Sequence, residues 1–299
     1  MSTGTETKLS QSTEKVEKQE TMEEFMQRYS SIHRKQNDYT RNMCRLHRNA
    51  IPEMKSRPKL LVNEKHKMVY CQTPKTGTVS WCRIMLIISG YKNYEEVMKM
   101  TAPQVSAAWN KNTYHTFLVI LWQNRNTLWP PTQNSCLLGI LSHDCCRLTM
   151  IKSFVRTEVT QEALRAIEKK IRNNFRWNSN AKSDEIDFVD FVNLVVSQEG
   201  SNVHWNPMHG ICYPCDIHYD VIGHFEDMEN ETKYILTLTN LTNLWLPKSS
   251  GAHLTNSSSQ SKLDKAFSSI PLPHLADLYH KYKYDFTLFG YEIPLGTKR

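Results

Sequence analysis

Nothing in this chain is apolar for long enough to cross a bilayer. The apolar runs TFLVILW and SCLLGIL, both inside 101–150, fall well short of the roughly 20 residues a spanning helix needs. Residues 1–30 are polar and charged, rich in Ser, Thr, Glu and Lys, with no stretch suited to a signal peptide or anchor. They read as a disordered lead. Also missing is the Gly-x-x-x-x-Gly-Lys-Ser/Thr loop of nucleoside-triphosphate enzymes, as are the protein-kinase signatures. Paired zinc fingers and an RNA-binding aromatic signature are absent too. These absences argue against an ATPase, a kinase and a nucleic-acid binder.

What is present suits one globular domain with a tail. The chain has 299 residues, is 39% hydrophobic and carries 13 tyrosines, enough for a core. Its net charge of +7 suggests an anionic partner without saying which: acidic glycan, phosphonucleotide and nucleic acid all qualify. The strongly basic segment 31–67 is either a solvated helix and linker or a surface for acidic polysaccharide. Eight cysteines permit disulfides, and sequons stand at Asn230, Asn240 and Asn256.

The most telling stretch is 68–90, MVYCQTPKTGTVSWCRIMLIISG. Its pattern predicts a strand near Met68–Gln72, a loop broken by Pro74 and Gly77, and an apolar helix stopping at Gly90. Such a loop aims backbone N–H groups at one point, at the positive end of a helix dipole. Lys75 adds a full charge, and Thr76, Thr78 and Ser80 offer hydroxyls. The segment is therefore a candidate anion site.

Three blocks in this order resemble the Golgi carbohydrate sulfotransferases that act on chondroitin, dermatan and terminal N-acetylgalactosamine. TPKTGTVSW is similar to that family's 5′-phosphosulfate loop, with Pro74, Lys75, Ser80, Trp81 and Arg83 in matching places. VHWNPMHGICYPCDIHYDVIGHFED at 203–227 is similar to its His-Trp-x-Pro, Cys-x-Pro-Cys and Tyr-Asp-x-Ile-Gly block. LYHKYKYDFTLFGYEIP at 278–294 is similar to its Tyr-x-x-Asp-Phe-x-x-Phe-Gly-Tyr ending. Cys44 matches a cysteine that the family often has just before the catalytic domain.

The resemblance implies an α/β domain of the P-loop-like sulfotransferase fold, with a central parallel sheet flanked by helices. It implies a lead over 1–40, disordered or helical, and a sulfotransferase-like domain over 41–299. It also implies sulfate transfer from 3′-phosphoadenosine 5′-phosphosulfate to a sugar hydroxyl of a glycosaminoglycan or glycoprotein glycan, with no metal and no nucleic acid. Pro74, Lys75, Thr76, Gly77, Thr78, Val79 and Ser80 would hold the 5′-phosphosulfate, and Lys75 would also meet the bridging oxygen. His204 is the candidate base, though it suits orienting Trp205 equally well. The family's place is the lumenal face of the Golgi membrane, behind an anchor this sequence does not show.

The chain departs from the family after Arg156. A strand ending in Phe154-Val155-Arg156 matches, and Arg156 would meet the 3′-phosphate. The serine, second arginine and tyrosine that should follow are replaced by TEVTQEALRAIEKK. An inactive relative that binds acidic glycan is the alternative this raises. Segment 101–150, holding Cys136, Cys145 and Cys146, is atypical, and its apolar runs match none of these blocks.

Other patterns read as structure. Tyr94–Met100 is a short helix. Segment 160–176, capped by Thr160, and segment 187–197, capped by Asp187, carry apolar stripes at helical spacing. A last helix near Pro273–Tyr282 precedes a docked terminal segment containing Phe286, Phe289 and Tyr291. His204, His209, Cys212 and Cys215 could bind zinc, but a structural cysteine pair fits the irregular spacing better, bonded to each other or to distant cysteines.

Overall fold

In a computed structural model of the chain, the described residues are 20–54, 58–74, 76–112, 136–141, 161–174, 188–197, 201–245 and 267–291. Helix α1 (Met22–Leu46) starts inside the segment whose composition suggests a disordered lead. Thr21 accepts from the Glu24 N–H while the Glu24 carboxylate accepts from the Thr21 N–H, a capping box. Phe25, Tyr29, His33, Thr40 and Cys44 recur at helical spacing and are buried. That stripe packs on β4 (Val221–His224) and on α9 (Leu272–Phe289), where the Thr40 hydroxyl donates to the Leu288 carbonyl at 2.9 Å.

The four strands are β1 (Leu60–Asn63), β2 (Met68–Cys71), β3 (Cys136–Leu141) and β4, hydrogen-bonded in that order. β1 and β2 form an antiparallel hairpin, Leu60 opposite Cys71, while β2–β3 and β3–β4 are parallel pairs. The expected central parallel sheet is therefore corrected to a small mixed sheet within a largely helical α/β fold. A four-residue turn at Glu64–Lys67 can return its chain only antiparallel, which fixes the edge.

Side-chain alternation divides the core. Leu61, Met68, Tyr70 and Val221 face one cluster, with α2 (Thr78–Ile88) and α8 (Met228–Leu238). Leu60, Val62, Val69, Cys71 and Ile222 face the other, with α7 (His209–Cys212) and the end of α9. Both faces of β1 and β2 are thus covered, and each is buried along its whole length. A third cluster joins α5 (Gln161–Asn174), α6 (Phe188–Val196) and α9 around Trp205.

The helices α3 (Tyr94–Lys99) and α4 (Ala102–Asn112) pack on α2. α3 and α6 follow the predicted periodicities, and the run SCLLGIL supplies β3, an inner strand. The expected caps Thr160 and Asp187 lie outside the described residues, as does TFLVILW. The last helix is longer than its pattern suggests. Phe286 and Phe289 continue it to Gly290, whose φ of 70° ends it in a left-handed cap.

Candidate functional site

β2 delivers the chain to the loop 72–77 at the carboxyl edge of the parallel strands, the place where α/β sheets bind ligands. Gly77 stands at the N-cap of α2 with φ of 73° and brings no side chain to cap the first turn. A Cβ there would lie 3.0 Å from the Met228 methyl. The position combines a left-handed backbone, which favours glycine, with a close approach by a flexible methionine tip.

The loop is shaped by its own hydroxyls. The buried Thr76 hydroxyl donates to the Thr73 carbonyl at 2.8 Å and lies 2.6 Å from the Thr73 hydroxyl. Thr78 also donates to the Thr73 carbonyl. Beneath them Tyr70 is fully buried and stacks on Trp81 at 5.6 Å. Burial raises its hydroxyl pKa far above the ordinary tyrosine range. Burial likewise pushes the Cys82 thiol up to about 11. Arg83 donates to the Met100 carbonyl at 2.7 Å, tying α2 to the end of α3.

The other wall is the end of β4. His224 is followed by a single 3₁₀ turn, Phe225–Asp227, and then by α8. Met228, at the start of α8, covers Gly77, and Glu231, one turn on, lies against Gly223 and accepts the His224 N–H at 3.2 Å. Glu231 also pairs with His33 of α1 at 3.0 Å, with both side chains 3% exposed. The His224 ring Nδ1 meets the Tyr291 hydroxyl at 3.1 Å, and that hydroxyl donates to Glu226 at 3.4 Å. Burial lowers the pKa of His224, opposed by the charges of Glu226, Glu231 and Asp227.

Pro74, Thr76, Gly77, Thr78, Val79 and Ser80 are brought together here. Lys75 and Arg156 lie outside the described residues. His204 is half-buried in the turn 201–206, its N–H on the Asn202 side chain at 2.9 Å, beside Trp205 of the third cluster. Sequence reasoning missed His224. The available signal was the run Val221-Ile222-Gly223, a buried strand ending in a histidine.

The second and third sequence blocks dock on each other. Asp285, 1% exposed, accepts the Met208 N–H at 2.6 Å, the His209 N–H at 2.8 Å and meets His209 Nδ1 at 2.6 Å. Tyr282 donates to the Trp205 carbonyl. Cys212 is bonded to Cys71 and Cys215 to Cys44, so neither sulfur is a thiolate free for zinc, and the pairing is to distant cysteines. Among the described residues no cluster of His, Cys, Asp and Glu is arranged to hold a metal.

A family model described as "Sulfotransferase family" matches residues 58–135 and 143–292. Carbohydrate sulfotransferase 11 of Rattus norvegicus is 26% identical over 250 residues, spanning 79% of this chain and 67% of its own. Carbohydrate sulfotransferase 10 of Gallus gallus is 25% identical over 293 residues, spanning 88% and 76%. Carbohydrate sulfotransferase 14 of Danio rerio is 24% identical over 252 residues, spanning 80% and 63%. No solved structure is significantly similar to the chain. With the loop at the carboxyl edge of β2 and a family match over most of its length, the chain belongs to the sulfotransferase family.

Proposed function

We propose that this protein transfers sulfate from 3′-phosphoadenosine 5′-phosphosulfate to a hydroxyl of a carbohydrate, within a glycosaminoglycan or a glycoprotein glycan. The observation that carries this reading is the β2–loop–α2 unit inside the family match. Gly77 leaves room where a Cβ would intrude, and the uncapped first turn of α2 presents N–H groups and the positive end of a dipole. These features fit an anionic phosphosulfate.

When bound, the donor supplies a sulfuryl group already joined to a phosphate leaving group. Pro74 to Ser80 cradle that end, Lys75 neutralises the charge that gathers on the leaving oxygen, and Arg156 meets the 3′-phosphate. The chain must also take a proton from the acceptor hydroxyl. His204 is the base that the family block suggests.

The acceptor is an acidic glycan, in keeping with the net charge of +7. Arg41, Arg45, Arg48 and His218 line a shallow basin beside the Cys44–Cys215 bond, a surface of matching sign. Two disulfides suit an oxidising compartment, and the lumenal side of the Golgi membrane is the proposed location. Among the described residues no helix is long and apolar enough to cross a membrane.

Calorimetry with 3′-phosphoadenosine 5′-phosphate tests the donor site. Micromolar binding by the wild type, lost in Lys75→Ala, is expected, followed by transfer of labelled sulfate to chondroitin or dermatan. A folded wild type that binds no nucleotide and labels no acceptor would sink the proposal.

A further inference from the structure

The reaction proposed above needs a base, and the hydrogen bonds around the end of β4 designate one where the second and third sequence blocks meet. Glu226, as a carboxylate, can only accept. Tyr291 has a single proton and donates it to Glu226 Oε2 at 3.4 Å. With that proton directed to Glu226, the Tyr291 oxygen, 3.1 Å from His224 Nδ1, is placed to accept from the ring. The His224 proton therefore sits on Nδ1, and Nε2 carries the lone pair. This is the arrangement of a histidine readied to receive a proton, with a second group fixing its tautomer.

The position suits the task. His224 ends β4, and β4 lies two places from β2 in the sheet, about 10 Å at ordinary strand spacing. Both strands point their carboxyl ends to the same edge. The first turn of α8 bridges them, with Met228 over Gly77 and Glu231 against Gly223. The ring is half-buried and held edge-on to Tyr291 with centroids 5.1 Å apart.

We propose that His224 is the catalytic base of this sulfotransferase, held in its Nδ1–H form by Tyr291 and Glu226. This rests on the sulfotransferase reading of the site. In the step, the acceptor hydroxyl gives its proton to His224 Nε2 as its oxygen forms the new bond to sulfur. The bond from sulfur to the leaving phosphate oxygen breaks, and the electron pair departs with that oxygen.

Among the described residues, the charged and titratable groups facing the ring are Glu226 and Asp227 from the 3₁₀ turn, Glu231 from α8 and His33 from α1; Tyr291 follows α9. Burial is the largest influence and favours the neutral ring, the form that can accept a proton near pH 7. The assignment and that of His204 exclude each other.

One experiment decides between them. In the nucleotide-free protein, ¹⁵N resonances of His224 should show the Nδ1–H tautomer and a titration midpoint below the ordinary histidine value. Tyr291→Phe should release that tautomer preference. In turnover, His224→Gln should lower kcat about 10²- to 10⁴-fold and abolish the acid limb of the pH profile. Its affinity for 3′-phosphoadenosine 5′-phosphate should stay at the wild-type value. His204→Gln should keep the limb. An Nε2–H tautomer, a His224→Gln enzyme at full rate, or an acid limb lost in His204→Gln instead would overturn the assignment while leaving the sulfotransferase reading intact. A wild type that transfers no sulfate overturns both.

Discussion

Gly77 meets two demands at one residue. Its φ of 73° costs any other residue about 1–2 kcal/mol, and a Cβ would press on the Met228 methyl at 3.0 Å. The methionine tip can yield, so the backbone term dominates. Gly77→Ala should destabilise by about 1–2 kcal/mol in urea titrations and weaken binding of 3′-phosphoadenosine 5′-phosphate. Adding Met228→Ala should recover little of either; full recovery would mean the contact mattered more than the backbone. Glu231 shows the opposite case, a charge with almost no water around it. Glu231→Ala removes the group beside His33, itself 2% exposed, and the acceptor of the His224 N–H, and should cost about 1–3 kcal/mol, with Glu231→Gln milder.

Two buried groups give stability opposite pH dependences. His224 has a lowered pKa, so the native state binds fewer protons than the unfolded chain. Its contribution is present above the ordinary histidine value and is lost as pH falls through the folded one. Cys82 is raised from 9.0 to about 11, so its contribution is present below 9 and is lost as pH climbs toward 11. Denaturant midpoints across pH should fall on both sides, and Cys82→Ala should lessen the alkaline fall without removing it, since Tyr29, Tyr70 and Tyr219 are raised as well, and should leave the acid side unchanged. The native Cys82 thiol should also resist alkylation at pH 8 and react once the protein unfolds.

At the scale of elements, the loop after β2 was legible because its punctuation is local. Pro74 and Gly77 break a pattern within a few residues, and chain order alone then gives strand, turn and helix. α1 was not, since its inward stripe includes His33, Thr40 and Cys44, which look polar or neutral until they find partners on other elements. The β4 wall was hidden for another reason. His224 comes beside the loop only because β3, 65 residues beyond β2, inserts between the two strands. No spacing rule reaches across such a gap. The capping box of α1 supports a test at this scale. Thr21→Ala should cost about 1 kcal/mol and increase amide exchange in the first turn, leaving the exchange of α2 unchanged.

For the molecule as a whole, the cysteines bind three regions into one frame. Cys44 ties α1 to Cys215, and Cys71 ties the strand entering the loop to Cys212. An even cysteine count allowed disulfides, but which pairs form depends on where α7 docks, and that follows from Asp285 on another helix. With separations of 171 and 141 residues, chain-entropy reasoning assigns about 5 kcal/mol to each bond as an upper figure. Cys71→Ser with Cys212→Ser should lower the melting temperature sharply and loosen nucleotide binding, because β2 would lose its tether just before the loop. Unchanged melting would mean that the packing of the second cluster carries the region without the bond.

The two bonds are nested, the 44–215 span enclosing 71–212, and this sets a timetable for the growing polypeptide. Six of the eight cysteines leave the ribosome before Cys212 does. Until then an oxidant finds Cys44 and Cys71 with only Cys82, Cys136, Cys145, Cys146 and each other, all wrong partners for the native pairs. Any bond that Cys44 or Cys71 forms before then is provisional and must be undone by thiol–disulfide exchange after most of the chain is made. Secretion of active protein should thus follow the supply of a disulfide isomerase more closely than the supply of oxidant.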